Sequence, residues 1–475
     1  MVNNNMMLKD IYKETDSSTI VTGVTTDSRY LEPGNIFIPL PGKNFNGSEF
    51  LIDAINKHAA AIVSTHAMPA STIPVIIVSN LHSELYKLID IFYSKPYNNS
   101  TLIGVTGTDG KTTTSTLTSY ILSSKALCAN IGTNGITYGT THIDNLFTTP
   151  PLTENYKIMH LLNKEGINYA SMEVSSQGII NNRIHNILFD YTIFTNLSHE
   201  HLDTHITMHN YFLSKLRLFK QLKPNGIMII NKDDSYHKFF EKYKNAIFYS
   251  ICTPSDFQAL NIKYYNDFTT FDLKTKDTLY KDLKTNLTGE FNIYNLLPAI
   301  VIALRENINI NDISRIIQTL PIIPGRLEKV PVQKPFDVYI DFAHTPNALE
   351  KVLKAIRHKT NNRIILVCGA AGEKDKSKRP LMGSIACEYA DFVIFTSEDP
   401  KCENPIDIIN QMIQLLDISN NNYQIILNRK NALSYACSIA KENDIILVTG
   451  KGRENFFEEN NARIPYSDFE YLLSI

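Results

Sequence analysis

A lysine and three threonines follow a glycine turn in Val105-Thr106-Gly107-Thr108-Asp109-Gly110-Lys111-Thr112-Thr113-Thr114. An apolar, β-prone stretch, Leu102-Ile103-Gly104-Val105, leads into it, and a helix-like segment from Ser115 to Ser123 leads out. A loop between strand and helix turns backbone N–H groups toward an anion, and the helix N-terminus adds a favourable dipole. Lys111 can then reach terminal phosphates, and a threonine hydroxyl after it can ligate Mg²⁺. The chemistry expected is binding of ATP or another nucleoside triphosphate. Val105 stands where the strict phosphate-loop pattern has its first glycine. Gly-Lys-Thr-Thr in a strand–loop–helix context outweighs a generic glycine turn.

Other candidates are more modest singly. Glu173 follows a strand-like stretch in Met172-Glu173-Val174-Ser175-Ser176. Ligand groups gather at the carboxyl ends of strands in open α/β sheets, and a carboxylate facing a loop threonine suits Mg²⁺. His199-Glu200-His201-Leu202-Asp203-Thr204-His205 clusters metal-capable groups but lacks the thiols or HExxH spacing of zinc sites. Asp341 closes the strand-like Asp337-Val338-Tyr339-Ile340. The stretch from Gly369 to Pro380 is a glycine-containing loop crowded with cations, able to hold phosphate or carboxylate. Gly450-Lys451-Gly452-Arg453-Glu454 closes a last strand in the same manner. Lys215 shares a helix face with Phe219 at i, i+4 spacing and, taken alone, reads as a surface lysine.

These groups need a scaffold. The chain has 475 residues, enough for two to four domains, with 43% hydrophobic and 20% charged residues. The net charge of −2 offers no basic field for nucleic acid. No apolar run is long enough to span a bilayer. Six scattered cysteines without CxxC spacing, and a start without a secretory layout, lead us to expect a cytoplasmic protein with reduced thiols. A polar, Pro-containing connection at 94–100 separates a first block of short strands from a second. In the second block Tyr191–Phe194 and Ile227–Ile230 alternate with helical runs, as in parallel βαβ units, before a β-rich patch from Ile247 to Leu287. The third block begins near Pro324-Gly325-Arg326, with strands at 337–340, 364–367, 392–395 and 445–448 separated by helices, a doubly wound pattern.

In this order, the motifs from Asp27-Ser28-Arg29 to Gly450-Lys451-Gly452-Arg453-Glu454 resemble the Mur ligases, ATP-dependent amide-forming enzymes of peptidoglycan precursor synthesis. Within them the chain is similar to the type that adds the third residue to UDP-N-acetylmuramoyl-L-alanyl-D-glutamate. The resemblance implies an α/β protein of three domains. These are a small UDP-binding domain (1–97), a central phosphate-loop domain with a parallel sheet (98–325) and a C-terminal Rossmann-like domain (326–475). It implies ATP held by Thr108, Asp109, Gly110, Lys111, Thr112, Thr113, Asn292, Asn295, Arg326 and Asp341. Ser28, Lys43, Asn44 and Phe45 would hold the uridine nucleotide, and Thr148, Thr149, Ser175, Asn181 and Arg183 the peptide end. Mg²⁺ would be bound by Thr112, Glu173, His201 and Lys215, the last matching the family's carbamylated lysine. Lys111, Glu173, His201 and Lys215 are thus the expected catalytic set. Arg379, Glu398, Asp399, Pro400, Lys401, Gly450 and Glu454 would recognise the incoming amino acid. The family is mostly monomeric and takes small-molecule substrates.

The sequence also departs from the family. Diaminopimelate-adding members carry Asp-Asn-Pro-Arg where this chain has Glu398-Asp399-Pro400-Lys401. Lysine keeps the positive charge of arginine but loses its fork, and still favours a distal carboxylate; Glu398 can instead accept an amine. Glu200 replaces the usual aspartate before His201; Gln177 a common histidine; Asn181 a frequent glutamine; Asn46 and Ser48 alter the usual Asp-Gly-His. Two other readings stand beside a muramyl-dipeptide ligase. One is a paralogue acting on another acid, such as a folate or poly-amino-acid ligase; the Asp27-Ser28-Arg29 block argues against the folate type. The other is a plain NTPase, against which Lys215 and the Arg379–Glu454 set argue.

Overall fold

The computed structural model describes residues 6–41, 50–68, 71–417, 422–460 and 462–475. Lys43, Asn44, Phe45, Asn46 and Ser48 lie outside the described residues.

Three sheets carry the architecture. Near the N-terminus four short strands, Gly23–Thr25, Asn35–Phe37, Ala61–Ser64 and Val75–Ile77, pair in parallel in that order. The helix Leu81–Tyr93 buries Leu85, Leu88, Ile89 and Phe92, spaced for one face, in the core shared with the next unit.

The second sheet has 11 strands. Its parallel centre runs Cys128–Gly132, Tyr169–Glu173, Thr101–Thr106, Phe189–Phe194, Leu222–Asn231, Ala246–Ser250. Thr101–Thr106 sits between Tyr169–Glu173 and Phe189–Phe194, so the chain leaves this strand where strand order switches direction. Such a switch opens a crevice at the strand's carboxyl end. The β-rich patch forms Phe257–Tyr264, Thr269–Lys274 and Leu279–Thr285, which extend one edge with antiparallel pairs. The helix Glu290–Arg305 is buried along most of its length against Lys111–Leu122 and one face of this sheet.

The third sheet runs Glu328–Val330, Asp337–Asp341, Ile445–Thr449, Ile364–Cys368, Phe392–Phe395, Tyr423–Ile425, parallel except for its first pair. Ile364–Cys368 and Ile445–Thr449 are buried throughout, as unbroken apolar runs must be when helices cover both faces. Pro346–Arg357 begins with Thr345 accepting from Ala348 N, has proline in its first turn, and buries Leu349, Val352, Leu353 and Ile356. No helix among the described residues is long and apolar enough to cross a membrane.

Candidate active site

The loop after Thr106 lies at the switch point of the second sheet. Gly110 caps Lys111–Leu122 at φ 83°, and a Cβ there would stand 2.2 Å from Asn295 Oδ1. Only glycine meets both conditions. Asn295 therefore packs directly under the loop. Its Oδ1 accepts from Thr114 Oγ1 at 3.4 Å and its Nδ2 donates to Asn292 Oδ1 at 3.4 Å. Lys111 Nζ curls onto the carbonyls of Gly107 (3.0 Å) and Thr108 (2.7 Å), and burial lowers its ammonium pKa. Thr113 is buried in the same first turn.

Thr112 Oγ1 donates to Glu173 Oε2 at 2.8 Å, and Thr133 N donates to Glu173 Oε1 at 2.8 Å. Arg326 Nη2 reaches Thr112 Oγ1 at 3.0 Å from the start of the third block, its guanidinium 4.6 Å over the Phe342 ring. Asp341 accepts from Leu327 N (2.6 Å) and Ala343 N (2.7 Å), and burial pushes its carboxyl up to about 6 against the pull of Arg326. Asp109 is drawn across the cleft, accepting from Thr345 Oγ1 (3.2 Å), Asn347 Nδ2 (2.9 Å) and Ser198 Oγ (3.2 Å). Thr108 Oγ1 accepts from Ser198 N at 3.0 Å.

Lys215 is not a surface lysine; it is 1% exposed. It does share a face with Phe219, but Tyr211, Phe212 and Leu218 turn that face of Met208–Phe219 inward. Its Nζ donates to Gly107 O at 2.7 Å and lies 4.3 Å from the centroid of the Tyr211 ring. Burial, then repulsion from Lys111, lowers its ammonium well below the usual range. Burial, with Lys215 and Lys111 nearby, pushes His201 down to about 2, which leaves the imidazole neutral. Among the described residues no three His, Cys, Asp or Glu side chains converge as a metal cluster. The donors that do meet are the Thr112 hydroxyl and the Glu173 carboxylate, hard oxygens of the kind Mg²⁺ takes.

On the other side of Glu173, Thr133 Oγ1 bonds Thr148 Oγ1 at 3.0 Å, and Thr149 Oγ1 donates to Glu173 O at 2.9 Å and bonds Ser175 Oγ at 3.2 Å. Ser175 caps Ser176–Ile180, accepting from Gly178 N. Asn181 accepts from Gln177 Nε2, and Arg183 Nη1 donates to Thr149 O at 2.8 Å. Ser28 is buried at the start of a short turn, and its carbonyl accepts from Lys57 Nζ at 2.6 Å.

The groups assigned to the amino acid come together less evenly. Glu398 is 5% exposed, has an unpartnered Oε2 among the described residues, and is pushed up to about 7 by burial. It packs against Gly450, where φ is 104° and a Cβ would lie 1.9 Å from Oε2. Asp399 accepts from Lys451 Nζ at 2.7 and 2.8 Å, and Glu454 from the same nitrogen at 3.0 Å. Pro400 lies close under Gly372, and the Lys401 backbone pairs with Glu458 and Asn460. Arg379 has no exposed surface. Its guanidinium binds Glu403 (2.9 and 3.0 Å), Gln411 and Ala371 O, so its fork is engaged by the protein's own acceptors.

Sequence reasoning passed over three groups. Lys378 Nζ, in the cation-rich loop, donates to both oxygens of Glu200 (3.1 and 3.0 Å) and to His344 O, joining the second and third units. Lys451 is the buried hub of Asp399 and Glu454, and Thr133 links Glu173 to Thr148. Lys378 and Lys451 lay inside motifs already noticed; nothing in the sequence marked Thr133.

Residues 105–303 match the Mur ligase middle domain, and residues 325–452 match the domain described as Mur ligase, glutamate ligase domain. A phosphate loop met from the third unit by Arg326 on Thr112 and by Thr345 and Asn347 on Asp109, on this fold, is the arrangement of an ATP-dependent ligase. The chain is 35% identical over 459 residues to UDP-N-acetylmuramyl-tripeptide synthetase 2 of Oceanobacillus iheyensis, covering 94% of this chain and 92% of that one. It is 36% identical over 465 residues to UDP-N-acetylmuramoyl-L-alanyl-D-glutamate–2,6-diaminopimelate ligase 1 of Clostridium acetobutylicum, covering 96% and 95%. A solved UDP-N-acetylmuramoyl-L-alanyl-D-glutamate–2,6-diaminopimelate ligase superposes with a TM-score of 0.62 at 27% identity over 99% of this chain and 98% of that one. The chain belongs to the Mur ligase family.

Proposed function

We propose that this protein joins a third residue, a diamino acid, to UDP-N-acetylmuramoyl-L-alanyl-D-glutamate at the expense of ATP, as a cytoplasmic monomer. Its three working units would span 1–97, 98–325 and 326–475. The observation that carries this reading is the junction of Thr112, Glu173 and Arg326. It brings the phosphate loop, the acceptor side and the C-terminal unit to one point, beside buried Lys215. A plain NTPase has no need of a charged cluster such as Glu398, Asp399 and Lys451.

Two steps follow from the chemistry. An acceptor carboxylate oxygen attacks the γ-phosphorus of ATP, breaking the bond to ADP and forming an acyl phosphate. The amine of the amino acid then attacks the carbonyl carbon, expels inorganic phosphate and loses a proton, leaving an amide. Phosphoryl transfer asks the protein for positioning and charge neutralisation. Lys111 and Arg326 supply cations to the phosphates, and the loop N–H groups at 107–110 cradle them. Mg²⁺, held by Thr112, Glu173, His201 and Lys215 as a carbamate, would neutralise developing charge on the phosphates. Asn292 and Asn295 support the loop from below. Thr148, Thr149, Ser175, Asn181 and Arg183 hold the peptide end, and Ser28 with Lys43, Asn44 and Phe45 the uridine end. Asp109 ties the loop to Thr345 and Asn347, so that the closed cleft excludes water from the acyl phosphate.

For the added residue, Arg379 sets the pocket floor through Glu403, while Glu398, Asp399, Pro400, Lys401, Gly450 and Glu454 form its rim. Lys374 is half-buried, and burial, then the neighbouring Lys401, lowers its ammonium pKa. Two ammonium groups on facing loops favour a distal carboxylate, hence diaminopimelate over lysine. The test is ADP release by the purified protein with UDP-muramyl dipeptide and a panel of amino acids. We expect release only with both present, and fastest with diaminopimelate. Release with ATP alone would contradict the ligase reading; preference for lysine would contradict the assignment of Lys374 and Lys401.

A further inference from the structure

Phe147 is an aromatic residue in a polar segment, Asp144-Asn145-Leu146-Phe147-Thr148-Thr149, and it is only half-buried. Its ring does not join any of the hydrophobic clusters found among the described residues. It lies instead within reach of two cations. The Arg29 guanidinium carbon is 4.9 Å from the ring centroid and that of Arg183 is 4.2 Å away. Arg29 belongs to the first unit, Arg183 to the second.

The two arginines differ in their other contacts. Arg29 forks onto Asp27 through Nε (2.9 Å) and Nη2 (2.6 Å). Arg183 is half-buried, and among the described residues its side chain makes one hydrogen bond, from Nη1 to Thr149 O. The rest of its fork is left to an outside acceptor. The segment around the ring is stitched to both units. Tyr30 Oη donates to Asn145 Oδ1 at 3.3 Å and accepts from Leu146 N at 3.2 Å. Asn145 Nδ2 also closes onto Phe147 O. One residue on, Thr148 reaches Thr133 and through it Glu173.

We propose that Phe147 is a positioning residue for the peptide acid: in contact with both Arg29 and Arg183, its ring fixes the direction in which the Arg183 fork meets the acceptor's carboxylate. An arginine stacked on an aromatic face loses side-chain freedom before the ligand arrives, and a planar fork rewards fixed direction. The ring also makes the seam between the first two units part of the acceptor site. This inference rests on the proposed function, because it needs a carboxylate-bearing acceptor at Arg183.

The experiment is steady-state kinetics on the full chain with Phe147→Leu and Phe147→Tyr, varying UDP-muramyl dipeptide and ATP separately, with thermal melts. Phe147→Leu keeps apolar bulk and removes the π face. Its KM for the dipeptide should rise about tenfold. Its KM for ATP, its kcat and its melting temperature should stay near wild type, and Phe147→Tyr should restore the dipeptide KM. An unchanged dipeptide KM in Phe147→Leu would overturn the inference. So would a rise in both KM values together with a lower melting temperature, the mark of a structural role. Arg183→Ala separates the two levels. If it raises the dipeptide KM while Phe147→Leu does not, the inference alone fails. If it also leaves that KM unchanged, the acceptor site itself has been misread.

Discussion

Lys215 forms no ion pair among the described residues, yet it is buried and donates to the phosphate loop at Gly107. Under the proposed function, replacing it with alanine removes the nitrogen that would carry the carbamate. Lys215→Ala should therefore cut turnover by roughly two orders of magnitude with an unchanged melting temperature, and excess bicarbonate should not restore it. Turnover near wild type would remove Lys215 from the mechanism. Glu398 gives a pH signature of its own. Its carboxyl is held up to about 7 in the folded protein against 4.5 in a free chain. Between those values the folded state binds more protons than the unfolded, so this group costs stability as pH rises from about 4.5 through 7. Glu398→Gln should melt higher than wild type by a margin that widens from pH 5 to pH 8, on the order of 1–3 kcal/mol at the upper end. A constant margin would mean that Glu398 is charged throughout. Both residues could be named from sequence only through the family resemblance; taken alone, Lys215 reads as a surface lysine. Their burial could not, since it is set by packing from distant elements: Tyr211 and the phosphate loop for Lys215, Gly369 and Gly450 for Glu398.

At the scale of elements, strand and loop order were legible because parallel strands covered on both faces are unbroken apolar runs, as at 364–367 and 445–448. The first helix of the second unit starts at Lys111, four residues before the expected Ser115, because left-handed Gly110 caps it and threonines pack as small residues in its buried turn. The strand read at 227–230 runs from Leu222 to Asn231 despite Pro224 and Gly226, with a register shift opposite 189–191 where pairing is irregular. Gly110 is also where this scale makes a prediction. Gly110→Ala would force a left-handed alanine into Asn295, at about 1–3 kcal/mol. The loop should shift, and KM for ATP should rise about tenfold or more while melting changes little. An unaltered ATP KM would show that the loop does not shape the nucleotide site.

The whole molecule is held closed over its cleft by polar contacts. Lys378 and Glu200 are both nearly fully buried, and their bidentate pair, with Asp109 on Thr345 and Asn347, spans the second and third units. In sequence Glu200 stands in the metal-capable His199–His205 cluster and as a departure beside His201; its partner lies 178 residues away, and the pairing carries no signal. Removing one member leaves the other charged and buried, while replacing both with apolar groups of similar size can be neutral. Glu200→Gln should therefore open the cleft, seen as a larger radius of gyration in small-angle scattering, and Glu200→Leu with Lys378→Met should return it toward wild type. Identical scattering from all three proteins would contradict a role in closure. Closure matters because the acyl phosphate has to outlive the arrival of the amine, and the path of one oxygen atom reports on that intermediate directly. With ¹⁸O in the acceptor carboxylate of UDP-N-acetylmuramoyl-L-alanyl-D-glutamate, each phosphate released in step with the new amide should carry one ¹⁸O. Phosphate free of label, with the amide still formed, would contradict phosphoryl transfer to the peptide acid.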